Sequence, residues 1–500
     1  MMKKLLFFAT IAMMLVACGH QIPQNFKDAD KLPAIYPDYT NVTVPINIAP
    51  LTFQIDGKAD DVVARLTAGT EEVICGGDKI QPDADDWKRL KEAAKGNAIK
   101  VEVYVENDNS WTRFKPFDIY VSADSIDSYI SYRLIPPSYV TYEELTINQR
   151  CLENYDESII YDNLLCSEGA QGQCINCHNY QQYNPDRMQF HARHNMGGTI
   201  IAYDGTIKKI GMKNDSLLSA GVYPTWHPTL PLIVYSTNMT GQIFHSVNPN
   251  KIEVFDSESD LIAYDVEKNE VTNIENDKNE MECFPFWAPD GKTLYYCSAH
   301  FEYSDTVTDK GKEFVTRTQE AKYNLYKKHF DPDTKQFGPR ELVFAADSLG
   351  KSATLPRISP DGRYLMFTVA KYGIFHIWHH DADLWMLDLQ TGEVRNMEEI
   401  NSPDTESYHS WSSNGRWVVF SSRRYDSNYT RPYIAHIDKN GHASKPFELP
   451  CANPDYHRQL LKSYNIPEFM RGPVTIKPQQ FADALKKEAE PVKYVNKLGK

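Results

Sequence analysis

The sequence predicts a mainly β chain in three parts. These are a β-rich, sandwich-like N-terminal domain, a short irregular and helical segment around a Cys-x-x-Cys-His motif, and a C-terminal β-propeller of about five blades, with four to six compatible. Three observations carry that reading. Apolar residues alternate in strand fashion from Val42 to about Ser131, residues 132–197 show no clear period, and a turn-and-strand repeat recurs four times between 198 and 449.

Length and charge bound the rest. Five hundred residues exceed one ordinary core. A formal charge of −14 argues against a nucleic-acid partner, because phosphate-backbone affinity rests on clustered Lys and Arg.

The N-terminus, "MMKKLLFFATIAMMLVACGH", joins Lys3 and Lys4 to an apolar run from Leu5 to Val16. This is the plan of an export signal. Leu15-Val16-Ala17-Cys18 matches the bacterial lipobox, which implies a signal peptide over 1–17, cleavage before Cys18 and lipidation of its sulfur. Two or more acyl chains anchor a protein stably. Gly19 and His20 follow, with no Asp at the second mature position, and the Gram-negative sorting rule then favours the outer membrane. The expected address is the cell envelope, lipid-anchored and facing the periplasm. Residues 18–45, polar with scattered prolines, read as a tether.

The domain at 46–131 carries "TVPINIAPLTFQID" at its start, then "NAIKVEVYVEN" and "PFDIYVSAD", with one helix in "DADDWKRLKEAAKG" stopped by Gly96. It shows no cluster of catalytic residue types. In the propeller region "YPTWHPTLPLIVYSTN" begins at Tyr223, "FPFWAPDGKTLYYCSA" at Phe284, "LPRISPDGRYLMFTVA" at Leu355 and "HSWSSNGRWVVFSSRR" at His409. Asp290-Gly291, Asp361-Gly362 and Asn414-Gly415 are hairpin signals. A second strand pair follows each, and two hairpins in about 50 to 70 residues make a four-stranded blade. These Pro-Asp-Gly repeats resemble the TolB-like propellers. Residues 450–500 have helical stretches and a basic end that packs back along the body, and no function is legible there.

The chemistry lies in "CINCH", residues 174–178. Nine cysteines and 15 histidines would yield such a motif by chance about 0.005 times per chain. A redox dithiol and half of a zinc site, completed by His191 and His194, are the alternatives to haem. No βαβ frame surrounds the motif as a thioredoxin-like dithiol needs, and export suits c-type haem. In that reading Cys174 and Cys177 form the two thioethers of one covalent haem c, and His178 is the proximal iron ligand. His191 is the expected distal ligand, with Met188, His194 and Met196 as alternatives, and Arg193 pairs with a haem propionate. The run Cys174, Cys177, His178, Phe190, His191, Arg193, Gly197, Gly198 and Thr199, followed by Pro-Asp repeats, resembles bacterial periplasmic lipoproteins of TolB-like or cytochrome c type.

Six other cysteines remain: Cys75, Cys151, Cys166, Cys283, Cys297 and Cys451. An exported chain permits disulfides among them, Cys151–Cys166 and Cys283–Cys297 being nearest in sequence. His227, His376, His379, His380 and His409 lack regular metal-ligand spacing, and "DPDTKQFG" at 331–338 reads as a turn.

Three functions stay open. The first is single-electron transfer by a membrane-anchored haem protein whose propeller docks a redox or envelope partner. The second is a TolB-like envelope binding or scaffold protein, and the third a haem-dependent periplasmic oxidoreductase. One motif and no second cofactor site weigh against the enzyme.

Overall fold

A computed structural model describes residues 20–137, 144–166 and 173–499. Cys18 and the export signal lie outside the described residues. Among the described residues no helix is long and apolar enough to cross a membrane.

The propeller has six blades, within the expected range and one more than the favoured number. Blade 1 runs outward through Ile175–Gln181, Asn184–Ala192, Gly198–Tyr203 and Thr206–Gly211. Blade 2 uses Gly221–Trp226, Leu232–Phe244, Ile252–Asp265 and Glu270–Glu275, and blade 3 uses Glu280–Trp287, Thr293–His300, Asn324–Asp331 and Gln336–Phe344. One parallel pairing, Ser259 with Met281, joins these two blades into a single nine-stranded sheet, so four blades stand as separate sheets and two are fused. Blade 4 spans Ser352–Ile358 to Val394–Asn396, and blade 5 spans Glu406–Trp411 to Phe447–Glu448.

Blade 6 closes the ring. Its inner strand, Ser463–Met470, comes from the C-terminal region and pairs antiparallel with Tyr129–Ile135, which leads on to Thr146–Cys151 and Glu157–Asp162. Each inner strand touches the inner strands of both neighbouring blades, Ile175–Gln181 against Ser463–Met470 included. Closure in this way leaves only short, protected sheet edges around the axis.

The inner strands share a device. Cys177, Tyr223, Phe284, Leu355, Tyr408 and Ile466 all have φ between 48° and 56°. The ladder slips beside each, for example between Asn176 and Asn179 or Val222 and Thr225. These are β-bulges, which bend a strand and re-aim its side chains. The residues that follow are His178, Pro224, Pro285, Pro356, His409 and Pro467. Proline is tolerated at bulges because no ladder bond is lost there.

Residues 132–197 are therefore not an irregular insertion between two domains. They hold the outer strands of blade 6 and the inner half of blade 1. The tether reading also gives way from residue 20 on: Lys27–Asp28 pairs with Ser110–Arg113, and Thr43–Pro45 pairs with Phe117–Ser122. Tyr39 and Val42 are fully buried, so this segment is part of the N-terminal sheet and its core. That domain is the expected β-rich unit, one seven-stranded sheet with the helix Ala84–Ala93 beside it. Its core continues into Trp417, Val419 and Phe447 of blade 5 and Tyr464 and Phe469 of blade 6. The C-terminal segment packs back as expected, with Glu490–Pro491 adding to blade 1 and Lys493–Tyr494 to blade 2.

Candidate functional site

A cavity of about 630 Å³ opens at the axis, where the inner strands begin. Such a volume falls within the roughly 300–1,000 Å³ of cofactor and small-molecule sites. Blade 1 contributes Cys174, Asn176, Cys177 and Arg193 to its wall. Tyr223 of blade 2, Tyr408 of blade 5, and Phe375 and Trp378 from blade 4 supply aromatic surface. Five of the six bulge residues are Tyr, Phe, Leu or Ile, and the sixth is Cys177. The small side chain leaves room beside Arg193.

The wall is cationic. Arg133, Arg193, Lys251 and Arg423 face the cavity, and no Asp or Glu is among the described residues that line it. In a chain of net charge −14 this is a local reversal. Arg133 is held by Nη1 donating to the Ile175 carbonyl and Nη2 to Asn465 Oδ1, both at 2.8 Å, which leaves Nε without a partner. Arg193 lies 3.2 Å from the side-chain amide of Asn176. Arg423 stands 4.7 Å over the Trp378 ring, and burial pulls its guanidinium down to about 10. Asp256, buried behind the wall, accepts from Thr240 at 2.6 Å and Asn238 at 2.7 Å, and burial raises it to about 6. Buried cations with unused donors attract an anionic ligand.

The predicted site residues divide. Cys174, Cys177 and Arg193 meet at the cavity. Burial pushes the Cys177 thiol up. His178 does not line the cavity; its ring sits behind the strand, 6.2 Å from that of Tyr180. It is 1% exposed, burial holds it near 3, and neither nitrogen has a hydrogen bond of ordinary geometry, the Ile466 main chain being its one weak polar contact. None of the distal candidates lines the cavity. Met188 is sealed in a core with Phe190 and Phe481, and His191 Nδ1 is hydrogen-bonded to Thr199 Oγ1 at 3.2 Å. His194 is exposed, and Met196 packs half-buried on that same core.

The wall sets two thiols at Cys-x-x-Cys spacing beside guanidiniums and aromatic rings, groups that would hold the edge and carboxylates of a porphyrin, while no candidate iron ligand is among its lining residues. A buried imidazole without a partner directly follows the second thiol. Like the distal candidates, it is turned from the cavity.

All eight described cysteines are free, so neither nearest pair is bonded. Cys283 and Cys297 are cross-strand partners in blade 3, with the Cys297 thiol donating to the Cys283 carbonyl at 3.2 Å. The propeller histidines bond within the protein: His227 Nε2 to the Gly291 carbonyl, His379 to Glu253, His380 to Asp404. Among the described residues no group of three or more His, Cys, Asp or Glu is placed to hold a metal ion. Sequence reading missed Arg133, Tyr223, Tyr408 and Arg423, which are brought together only by ring closure.

No family model matches the chain, and no curated protein matches it. Among solved structures it is similar to the β-propeller domain of the Trilobed protease from Pyrococcus furiosus, at 13% identity and a TM-score of 0.33, over 78% of this chain and 99% of that one. It is also similar to prolyl oligopeptidase B from Galerina marginata, at 10% identity and a TM-score of 0.35, over 79% of this chain and 54% of that one. An oligogalacturonate lyase in complex with manganese matches at 10% identity and a TM-score of 0.29, over 82% and 99%. The chain thus spans about half the length of the prolyl oligopeptidase it matches. These likenesses concern the fold alone, and the propeller assignment here rests on the six closed blades.

Proposed function

We propose that the chain is a lipid-anchored c-type haem protein of the bacterial envelope that carries single electrons, its propeller serving as the docking platform for a partner. The observation that supports it most is that both cysteines of Cys-x-x-Cys-His line one cationic, aromatic cavity while the following histidine is buried without a partner. Haem would supply the one-electron chemistry. Cys174 and Cys177 would hold it through thioethers, and Arg133, Arg193 and Arg423 would neutralise its carboxylates. His178, nearest in sequence to both thiols, would supply an imidazole to the iron. Phe244, 60% exposed, ends the strand Leu232–Phe244 at the cavity wall, and Val247, 89% exposed, follows on the next loop, which suits protein docking beside the cavity. The resemblance to TolB-like envelope lipoproteins agrees with this placement.

The test is expression of the full chain with its export signal beside a c-haem maturation system, followed by haem staining of a denaturing gel and optical spectra. A stained band with sharp low-spin α and β bands supports the carrier. A high-spin spectrum that shifts with carbon monoxide moves the assignment to an oxidoreductase.

A second reading is a binding module for an anionic organic ligand, with no haem. What favours it is that His178 faces away from the cavity, in a position where four other blades carry proline. An unstained band from cells that load a control cytochrome would select it.

A further inference from the structure

A second constellation lies at the seam of blades 5 and 6, shares no residue with the axial cavity, and stands independently of the haem reading. Glu448 ends the outer strand of blade 5, Cys451 follows on the loop, His457 sits on the short helix Tyr456–Gln459, and Arg150 reaches in from blade 6. His457 Nδ1 is 2.5 Å from Glu448 Oε1, which fixes its proton there and turns Nε2 toward Cys451 Sγ at 3.6 Å and Tyr464 Oη at 3.2 Å. Arg150 Nη1 donates to the same sulfur at 3.2 Å, and its Nη2 donates to the Pro450 carbonyl. Tyr36 and Tyr433 hydroxyls also donate to Glu448, which holds its carboxylate in place.

This is a cysteine, histidine and carboxylate in series, with a guanidinium on the sulfur. Cys451 is 7% exposed and His457 1%, which leaves too little open surface for an acyl or glycosyl substrate. Only a small reactant can enter. We propose that Cys451 is a modification site for small hydroperoxides, which oxidise it to the sulfenic acid.

The step balances. The thiolate sulfur attacks one peroxide oxygen, an S–O bond forms and the O–O bond breaks. Sulfur loses two electrons and the peroxide is reduced. The leaving hydroxide or alkoxide takes the Nε2 proton of His457 and departs as water or alcohol. Arg150 holds the sulfur as the anion and Glu448 holds the imidazolium. The charges agree with this, for the cluster lowers the Cys451 thiol and raises His457 to about 9. The other ionisable groups facing the sulfur are Tyr39, Tyr155, Tyr456 and Tyr464, all neutral phenols with raised values.

The molecule contains its own controls. Cys75 is 9% exposed and Cys151 7%, matching Cys451, but neither sulfur carries a hydrogen bond from a histidine or a guanidinium as Cys451 does, and burial raises Cys75 to about 11. The full chain in detergent is treated with hydrogen peroxide in the presence of dimedone, and adducts at each cysteine are followed by peptide mass spectrometry. Cys451 is expected to label about tenfold faster than Cys75 and Cys151 near pH 7, and its rate is expected to climb less steeply with pH than that of Cys75. Glu448→Gln is expected to slow Cys451 alone. Equal rates at the three cysteines, or a climb at Cys451 parallel to that of Cys75, overturns the proposal; the wild-type comparison decides even where the variant fails to fold.

Discussion

His178 and His409 occupy the same place in blades 1 and 5, each directly after the bulge residue of an inner strand, and only His409 is anchored. Its Nε2 donates to the Met366 carbonyl at 3.0 Å, whereas His178 makes no hydrogen bond of ordinary geometry. Burial is shared, at 2% and 1% exposure, and so is the direction of the shift, burial holding both near 3. The propeller therefore accounts for why a histidine is buried here. It does not account for why one is left without a partner, or for two cysteines facing the cavity beside it. The difference isolates what is particular to blade 1.

The comparison breaks most sharply at the thiols. Replacing Cys174 and Cys177 by Ser is expected to abolish covalent haem entirely, while His409→Gln leaves the haem-stained band at full strength. A band that survives the double replacement would remove the motif from the account.

His178→Pro sharpens it further. Four other blades carry proline at this place, so the backbone is expected to accept it. The variant should fold and keep its thioethers but lose the low-spin α and β bands. Unchanged bands would show that His178 is no ligand.

How much of this could be read from the chain depends on where the signals lie. Blades 3 to 5 announce themselves because Asp290-Gly291, Asp361-Gly362 and Asn414-Gly415 supply turns that need a positive φ, as Gly291, Gly362 and Gly415 do. Blade 1 hides because its inner hairpin turns on Gln182-Tyr183, at φ of 50° and 62°, where no Asn-Gly marks it. Blade 6 hides because Tyr129–Ile135 finds its partner in Ser463–Met470, more than 300 residues on, with a |i−j| of 332 between Arg133 and Asn465. One further signal was present: Cys177-His178-Asn179-Tyr180 and Ile466-Pro467-Glu468-Phe469 follow the same plan as Phe284-Pro285-Phe286-Trp287. The cysteines and His178 were legible as chemistry. The guanidiniums opposite them were not, because only ring closure brings them near.

Stability gives a smaller effect. In the apo protein His409→Leu is expected to cost about 1–3 kcal/mol by leaving the Met366 carbonyl unpaired. His178→Leu should cost less than about 1 kcal/mol, because no good hydrogen bond is broken. Urea denaturation of the two variants checks this, and equal losses would erase the distinction between the two histidines.

The last effects are in pH. Burial holds His376 and His409 near 3 in the fold against an ordinary 6.5, so their contribution is complete above 6.5 and is lost as pH falls below it. Each unit of pH below that point removes up to about 1.4 kcal/mol per histidine. Glu468 runs the other way: burial raises it to about 7, and its contribution is full below the ordinary 4.5 and lost as pH rises through 7. Glu468→Gln is thus expected to raise the urea midpoint above pH 7 and leave it unchanged near about pH 4.

The most direct measurement is the intact mass of the mature chain purified from cells that mature c-type haem, combined with alkylation of its thiols under denaturing conditions. The account predicts a mass gain of one haem, with Cys174 and Cys177 closed to the reagent and Cys75, Cys283 and Cys297 open. A chain without that mass, alkylated at both Cys174 and Cys177, would contradict it and leave the propeller as a binding module for an anion.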